Sequence, residues 1–376
     1  MSEPVTRALG LAERLDWLRL IRSQNVGPIV FFRLLHRFGG ARAALDALPD
    51  LARRGGAKAF AVCPVEAAQA EIEALDHLGA RLIAASEPDY PPFLSHIDDP
   101  PPLISVLGDA WLLARRAIAV VGARNASLNG QRFARTLAGD LGRDGFLVVS
   151  GMARGIDAAA HEGALATGTV AVLGGGVDVI YPKENAGLYE RIRERGALVS
   201  EVAPGTEPKA SHFPRRNRII AGLALGVVVV EASLRSGSLI TARLALEQGR
   251  DVFAVPGSPM DPRARGTNDL IRQGAILTEG AGDIESMVNA AVRTPPPERK
   301  GLDLAASSSP VPGEDEIAKA RRAIVACLGP TPVKVDEIIR SCHVSPPVVA
   351  GVLLELELAG RLERHPGNQV SLLNDL

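Results

Sequence analysis

Four short loops hold the residues best suited to chemistry. They are Gly122-Ala123-Arg124-Asn125-Ala126-Ser127, Gly151-Met152-Ala153-Arg154-Gly155-Ile156-Asp157, Gly174-Gly175-Gly176-Val177-Asp178 and Ser233-Leu234-Arg235-Ser236-Gly237-Ser238. Their glycines let a backbone approach a ligand closely. Ser236, Gly237 and Ser238 open an apolar-periodic helix over 239–248. Hydroxyls, N–H groups and the positive end of a helix dipole together make an anion site. Arg124, Arg154 and Arg235 add charge on three of these loops. One such loop is an ordinary helix start; several meeting at one edge, each with an arginine, point to phosphate binding.

A fifth segment, HFPRRNRIIAGL over His212–Leu223, concentrates charge further. Helical periodicity buries Ile219, Ile220 and Leu223. Arg215, Arg216, Asn217 and Arg218 span one turn and must point in different directions. At least one arginine is expected to meet an internal carboxylate, Glu201 or Glu231, while the others remain free for phosphate. Phe213, held by Pro214, offers a stacking face. Backbone charge beside an aromatic platform is the mixture that single-strand binding requires.

Catalytic groups are sparse. Asp157 and His161 share a helix face at i,i+4 spacing. They read either as acid/base partners or half a metal site, or as a dipole-placed carboxylate with a packed histidine. The second reading is preferred, because nothing nearby in sequence completes a ligand set. No nucleophile has an adjacent base, and neither a catalytic site, a metal nor a cofactor is expected. After the run 118–121 the chain reads GARNAS rather than G-x-G-x-x-G, and no Walker lysine loop occurs.

The elements that must position these loops are legible by texture. From Arg81 to Val292, short continuously apolar runs (117–121, 147–150, 169–173, 197–200, 227–230, 252–255, 275–278) alternate with amphipathic helices. Strands apolar on both faces suit a parallel sheet covered by two helix layers. This predicts a doubly wound (extended Rossmann-like) α/β domain with a mainly parallel sheet, whose working loops leave the strands' C-terminal ends. Residues 1–80 read as a small helical domain with helices at 11–23, 28–38, 41–48 and 65–78. Asn25-Val26-Gly27-Pro28 and Phe38-Gly39-Gly40 suggest a helix–hairpin–helix, whose hairpin can offer N–H groups to a phosphate or simply close a bundle. Residues 293–315 form a Pro/Ser/Gly-rich linker. Residues 316–376 then give three helices (317–327, 335–342, 345–359) and a hairpin, the outline of a winged helix. Ser345 and Pro346 suit an N-cap and first helical position. The recognition helix VVAGVLLELELAG carries two Glu and neither Lys nor Arg, which favours a protein-contact or structural role over groove reading.

Composition sets the outer bounds. At 376 residues with 46% apolar content, two or three domains are expected. The net charge of −1 hides an asymmetry: residues 115–275 hold 21 Lys and Arg against 15 Asp and Glu, and the remainder holds 21 against 28. Cys63, Cys327 and Cys342 form no C-x-x-C pair, which fits a reducing compartment without disulfides or thiolate metal sites. With no signal-peptide core and no membrane-length apolar run, a cytoplasmic location is expected.

Taken together, VVGARNAS (120–127), VVSGMARGIDAAAHEGAL (148–165), VLGGGVDVIYP (172–182), Ser200-Glu201, FPRRNRIIAGL (213–223), VVVVEASLRSGSLITARLALEQGRDVFAVPG (227–257) and GTNDLIRQGA (266–275) resemble the DNA processing protein A (DprA/Smf) family. The N-terminal helices look like that family's sterile-alpha-motif-like (SAM-like) domain and the C-terminal piece like its winged helix. The resemblance implies a non-enzymatic protein. It would bind incoming single-stranded DNA, help load the RecA recombinase in natural transformation, and form a homodimer through the α/β domain. It also implies DNA contacts at Arg124, at Phe213 and at a lysine shortly before Phe213. Lys209 lies four residues before that ring and Ala210-Ser211-His212 carry no cation, so Arg215 or Arg216 is the substitute. With the flanking glycines Gly122, Gly151, Gly155 and Gly237, and with Ser127, Arg154, Asn217, Arg218, Arg235, Ser236 and Ser238, these complete the expected phosphate-binding set. Two other functions compete. One is a nucleoside-monophosphate phosphoribohydrolase, whose P-G-G-x-G-T-x-x-E loop would correspond to RSGSLITARLALE, with Thr241 roughly where the catalytic Glu falls. The other is a protein-interaction scaffold.

Overall fold

The computed structural model describes residues 7–292, 314–365 and 367–373. The expected linker at 293–315 lies almost wholly outside them. The chain divides into two compact units, residues 1–9 with 70–301, and residues 10–69 with 302–376.

The first unit is built on a nine-stranded sheet ordered β1-β2-β6-β5-β4-β3-β7-β8-β9. The strands are β1 (Arg81–Ala84), β2 (Leu103–Gly108), β3 (Ala117–Val121), β4 (Leu147–Ser150), β5 (Thr169–Val172), β6 (Ala197–Ser200), β7 (Gly226–Val229), β8 (Asp251–Ala254) and β9 (Ile276–Leu277). From β6 to β9 every pairing is parallel, for example Val120 opposite Val228. β1 and β2 extend the sheet antiparallel. The apolar runs legible in the sequence begin at 117–121 and include neither of these strands, which lie among prolines at 91–92 and 100–102. The alternation of side chains about the sheet divides the core. Ala117, Ala119 and Val121 pack on one face with Ile219, Ile220 and Leu223, and Ile118 and Val120 pack on the other with Leu137, Leu141 and Ile156.

The first face is covered by α8 (His212–Leu223) and α9 (Ser238–Glu247), the second by α5 (Leu128–Arg143), α6 (Ile156–Ala164) and α11 (Ala281–Val292). α7 (Ala186–Arg195) and α10 (Arg265–Arg272) complete the alternation. From β3 the chain winds through β4 and β5 to β6. It then returns to the other side of β3 as β7 and continues through β8 to β9. The winding reverses between β3 and β7, and the loops leaving their C-terminal ends diverge to open a crevice.

In the second unit, α1 (Leu11–Arg22), α2 (Pro28–Phe38) and α3 (Ala41–Arg54) pack around Trp17 and Phe31, whose rings meet edge-on at 5.0 Å. α3 runs past the expected end at Leu48, continuing through Pro49. The boundary between the units falls within α4 (Val65–Leu78). The C-terminal segment adds α12 (Glu314–Cys327), α13 (Val335–Cys342), α14 (Pro346–Leu358) and a small sheet of β10 (Val333–Lys334), β12 (Gln369–Leu372) and β11 (Leu362–His365). This is a winged helix around Ile324, Ile338, Val352, Leu356 and Val370. Ser345 stands at the N-cap of α14, but its carbonyl rather than its side chain takes the first N–H groups. Two of the three cysteines meet in space: the Cys342 thiol lies 3.6 Å from Cys327 Sγ, and both are free. Burial and that neighbour push the Cys342 thiol up to about 11. Among the described residues no helix is long and apolar enough to cross a membrane.

Candidate functional site

The strand-end crevice holds two chambers. The inner one, of about 730 Å³, lies at the switch point between the β3 loop (Gly122, Arg124, Asn125), the β7 loop (Ser233, Ser236, Gly237) and the first turn of α8. The outer one, of about 1020 Å³, lies over the loops after β4 and β5 and includes Gly151, Arg154, Tyr181 and Lys183. Arg124, Ala153, Phe213 and Arg216 line both.

Phe213 is the centre of the shared wall. The Arg124 guanidinium lies 5.1 Å from its ring centroid and that of Arg216 5.9 Å, within cation–π range. Tyr181, half exposed, tilts against it at 5.6 Å between centroids. The aromatic platform is therefore a two-ring wall with two guanidiniums beside it. No role for Tyr181 follows from the sequence alone. Its place on the loop leaving β5, at the same strand-end edge, was the available signal.

Arg216 does not extend into solvent. It is only 5% exposed, and its Nη1 donates to the Val172 carbonyl at 2.9 Å. Burial, opposed by Asp157, pulls its pKa down to about 10, and Nε has no partner. The nearest counter-charge is Asp157, buried at the start of α6, whose Oδ2 accepts from the Ala153 N–H at 3.3 Å. Burial raises the Asp157 pKa and the Arg216 charge opposes that shift. Gly151 makes this convergence possible: a Cβ there would overlap Arg216 Nη1 and lie 2.8 Å from Asp157 Oδ2. His161 is fully buried on the same helix. The Thr169 hydroxyl donates to the Val148 carbonyl, which assigns the remaining bond to His161 Nδ1–H donating to Thr169 Oγ1 at 2.8 Å. Burial and Arg216 drive the His161 pKa down to about 3, so the ring is neutral. Asp157 and His161 thus serve different neighbours and make no acid/base couple.

The remaining candidates separate cleanly. Asn217, Ser236, Gly237 and Ser238 line the inner chamber, with Ser238 at the start of α9 and its hydroxyl 2.7 Å from that of Ser236. Arg154 reaches the outer rim, where Glu184 lies 3.6 Å away. Gly155, at φ +77°, passes so close to the Ala123 carbonyl that a Cβ would overlap it; its role is to join the loops. Ser127 caps α5, and its N–H and hydroxyl donate to Glu231 at 2.9 and 2.6 Å, so Glu231 orients the β3 loop rather than an arginine. Arg218 is the arginine that meets internal carboxylates. It pairs with Glu201 and, at 3.3 Å, with Asp99, away from both chambers. Lys209, Arg215 and Arg235 are exposed and line neither chamber. Two further residues enter unforeseen: Asp261 and Arg263, ion-paired at 2.9 Å on the loop after β8.

Thr241, where the phosphoribohydrolase loop would carry its carboxylate, is a buried hydroxyl lining the inner chamber. Among the described residues no cluster of three or more His, Cys, Asp or Glu could hold a metal ion.

Fold and crevice define a doubly wound α/β protein whose switch point carries a cationic, aromatic-walled cleft, flanked in sequence by a helical domain and a winged helix. The family models for DNA recombination-mediator protein A, the DprA-like N-terminal HHH domain and the DprA winged helix domain match residues 81–289, 11–74 and 307–368. The chain belongs to the DNA processing protein A family. It is 37% identical to Protein Smf of Escherichia coli over 363 residues, covering 95% of each chain. It is 46% identical to DNA processing protein DprA of Bacillus subtilis over 209 residues, 55% of this chain and 70% of that one. The X-ray structure of DprA from Streptococcus pneumoniae matches with a TM-score of 0.58 and 35% identity, covering 73% of this chain and 95% of that one. Helicobacter pylori DprA, solved for its single-stranded DNA binding mode, matches with a TM-score of 0.51 and 29% identity over 58% of this chain and 97% of that one.

Proposed function

We propose that this chain binds single-stranded DNA in the two-chambered crevice and delivers it to the RecA recombinase, acting by binding rather than turnover and as a homodimer through its α/β domain. The observation that carries the reading is the Phe213–Tyr181 wall with Arg124 and Arg216 against it. Stacking on such a wall is tolerant of sequence because every base has a π-face, and the guanidinium beside it answers the adjoining phosphate. The helix start at Ser236–Ser238 supplies a second anion subsite. Homology to a protein studied for single-strand binding supports the same assignment.

The test is an anisotropy titration with single- and double-stranded oligonucleotides across a salt series. Tight, length-dependent and salt-weakened binding of the single strand is expected, lost in the combined variant Arg124→Ala/Phe213→Ala with its thermal stability retained. No binding at low salt, or release of base from a nucleoside monophosphate, would overturn the proposal. RecA delivery is tested by filament assembly on strand already coated with single-strand-binding protein, and the homodimer by sedimentation.

A further inference from the structure

Two thiols stand together in the winged-helix segment, and the proposed strand contact uses neither. Cys327 is the last residue of α12 and Cys342 the last residue of α13. The two helices share a core through Ile324 and Ile338, both buried, and this brings their C-terminal ends side by side. The Cys342 thiol donates to Cys327 Sγ at 3.6 Å. A covalent S–S bond is about 2.0 Å long, so closure asks only a short side-chain movement of either sulfur. Both residues sit where such movement is easiest. His343, in the left-handed region at φ +52°, ends α13 directly after Cys342, and the chain leaves α12 at Leu328 and Gly329.

The two thiols differ in access. Cys327 is exposed, whereas Cys342 is half-buried against the winged-helix core. A cysteine at a core edge by itself need do no more than fill space. An exposed thiol with a second thiol behind it is the arrangement of a reactive cysteine and its resolving partner. Their spacing in sequence, fifteen residues, gives no sign of this; the pair is made by the packing of α12 on α13.

We propose that Cys327 and Cys342 form a thiol–disulfide exchange site, which takes a small-molecule disulfide as its reactant and closes into a bond that ties α12 to α13. Cys327 gives its proton to solvent, and its thiolate attacks one sulfur of the small disulfide. That S–S bond breaks, and the first small thiolate leaves and is protonated. Cys342 then gives its proton to solvent and attacks Cys327 Sγ. The mixed disulfide breaks, and the second small thiolate leaves and is protonated. Two protein thiols are oxidised by two electrons, and one small disulfide is reduced to two small thiols. The order follows from access and proton affinity. Burial and the Cys327 neighbour push the Cys342 thiol up to about 11, so it is the poorer first nucleophile, and capping Cys327 removes the neighbour's share of that shift. The closed loop contains β10 and α13, and the cross-link restricts the unfolded segment more than the folded one. In a reducing compartment such a bond is transient and reports an oxidising challenge.

The test treats the full, folded chain with oxidised glutathione and reads intact mass and peptide maps, which separate the third cysteine, Cys63. A bond linking the Cys327 and Cys342 peptides, two hydrogens lighter and reversed by dithiothreitol, is expected. Cys342→Ser should stop one step earlier, with glutathione held on Cys327. If that variant fails to fold, an acid-quenched time course of the parent gives the same reading, with glutathione on Cys327 preceding closure. Amide exchange over residues 328–342 should slow about a hundredfold in the closed form, the loop-closure effect for a span of this length. The same treatment of Cys327→Ser should leave that exchange unchanged. Glutathione persisting on Cys327 in the parent, both thiols surviving unmodified, or a bond between two chains in place of the internal one overturns the proposal. So does a closed bond without slower exchange, because α12 and α13 would then not be tied by it.

Discussion

The Arg216 guanidinium and the Asp157 carboxylate converge over the α-carbon of Gly151, where no Cβ fits beside them. This buried pair forms the floor beneath the wall that both chambers share. Burial opposes each charge: it pulls the Arg216 pKa down to about 10 and pushes that of Asp157 up. The Arg216 Nε is itself buried and has no partner, so the pair leaves one donor of the guanidinium unsatisfied.

Gly151→Ala should therefore damage floor and site together. The new methyl group would displace Arg216 from the Val172 carbonyl and strip Asp157 of its counter-charge. Breaking a buried charged arrangement costs about 3–5 kcal/mol. Urea unfolding should show a loss of that size, and single-strand binding should weaken in the fraction that remains folded. A variant of unchanged stability would mean that the floor rearranges freely.

His161 gives the α/β domain an acid sensitivity with a definite sign. Its folded pKa, about 3, is below the ordinary value of 6.5, so the unfolded chain takes up a proton first as pH falls. Its contribution to stability is full above 6.5 and is lost progressively between 6.5 and 3. At two pH units below the unfolded pKa the loss is about 2.7 kcal/mol. The raised pKa of Asp157 acts in the opposite direction, since its protonation favours the fold at low pH. Comparing urea midpoints of the parent and His161→Gln across this range isolates the imidazole. The glutamine variant, weaker at neutral pH, should lose less on acidification.

Arg215 and Arg218 should separate binding from stability. Arg218 is buried among Glu201, Asp99 and the Asp99 carbonyl, so Arg218→Ala leaves carboxylates facing one another and should cost about 3–5 kcal/mol. Arg215 is exposed at the mouth of α8, and Arg215→Ala should leave the melting temperature unchanged. If it guides the strand backbone toward the crevice, the same change weakens binding most at low salt. Equal melting temperatures for the two variants would contradict this division.

The sheet was legible because buried parallel strands are written as unbroken apolar runs, and the switch-point rule then brought the β3, β4, β5 and β7 loops to one edge. The division among the arginines was legible in part. Arg216 precedes Ile219 and Ile220 by three and four residues, so the same periodicity that buries those isoleucines also buries Arg216. α14 carried a comparable signal, since a helix apolar all round must be covered on more than one side. Which surface covers it was not legible, because local periodicity does not record which distant faces meet. β1 and β2 were hidden for a related reason: their partners, each other and β6, lie far along the chain, and the prolines around them carry the local signature of a loop. Tyr181 and Arg263 likewise join the site only through the placement of separate loops.

The two components of the proposed strand contact should respond differently to salt. Arg124 is exposed, makes no ion pair among the described residues and lies over Phe213. Arg124→Ala should lower affinity and flatten the log K against log salt slope by about 0.7, the effect of one lost phosphate contact on a single strand. Phe213→Ala removes surface and not charge. It should cost about 1–3 kcal/mol of binding, the range for one stacked base, with the slope unchanged. Phe213→Trp, retaining a π-face, should recover most of that loss if the wall stacks bases, whereas Phe213→Leu should not. A leucine variant binding as well as the parent would reduce Phe213 to packing against Gly174 and leave the crevice purely electrostatic.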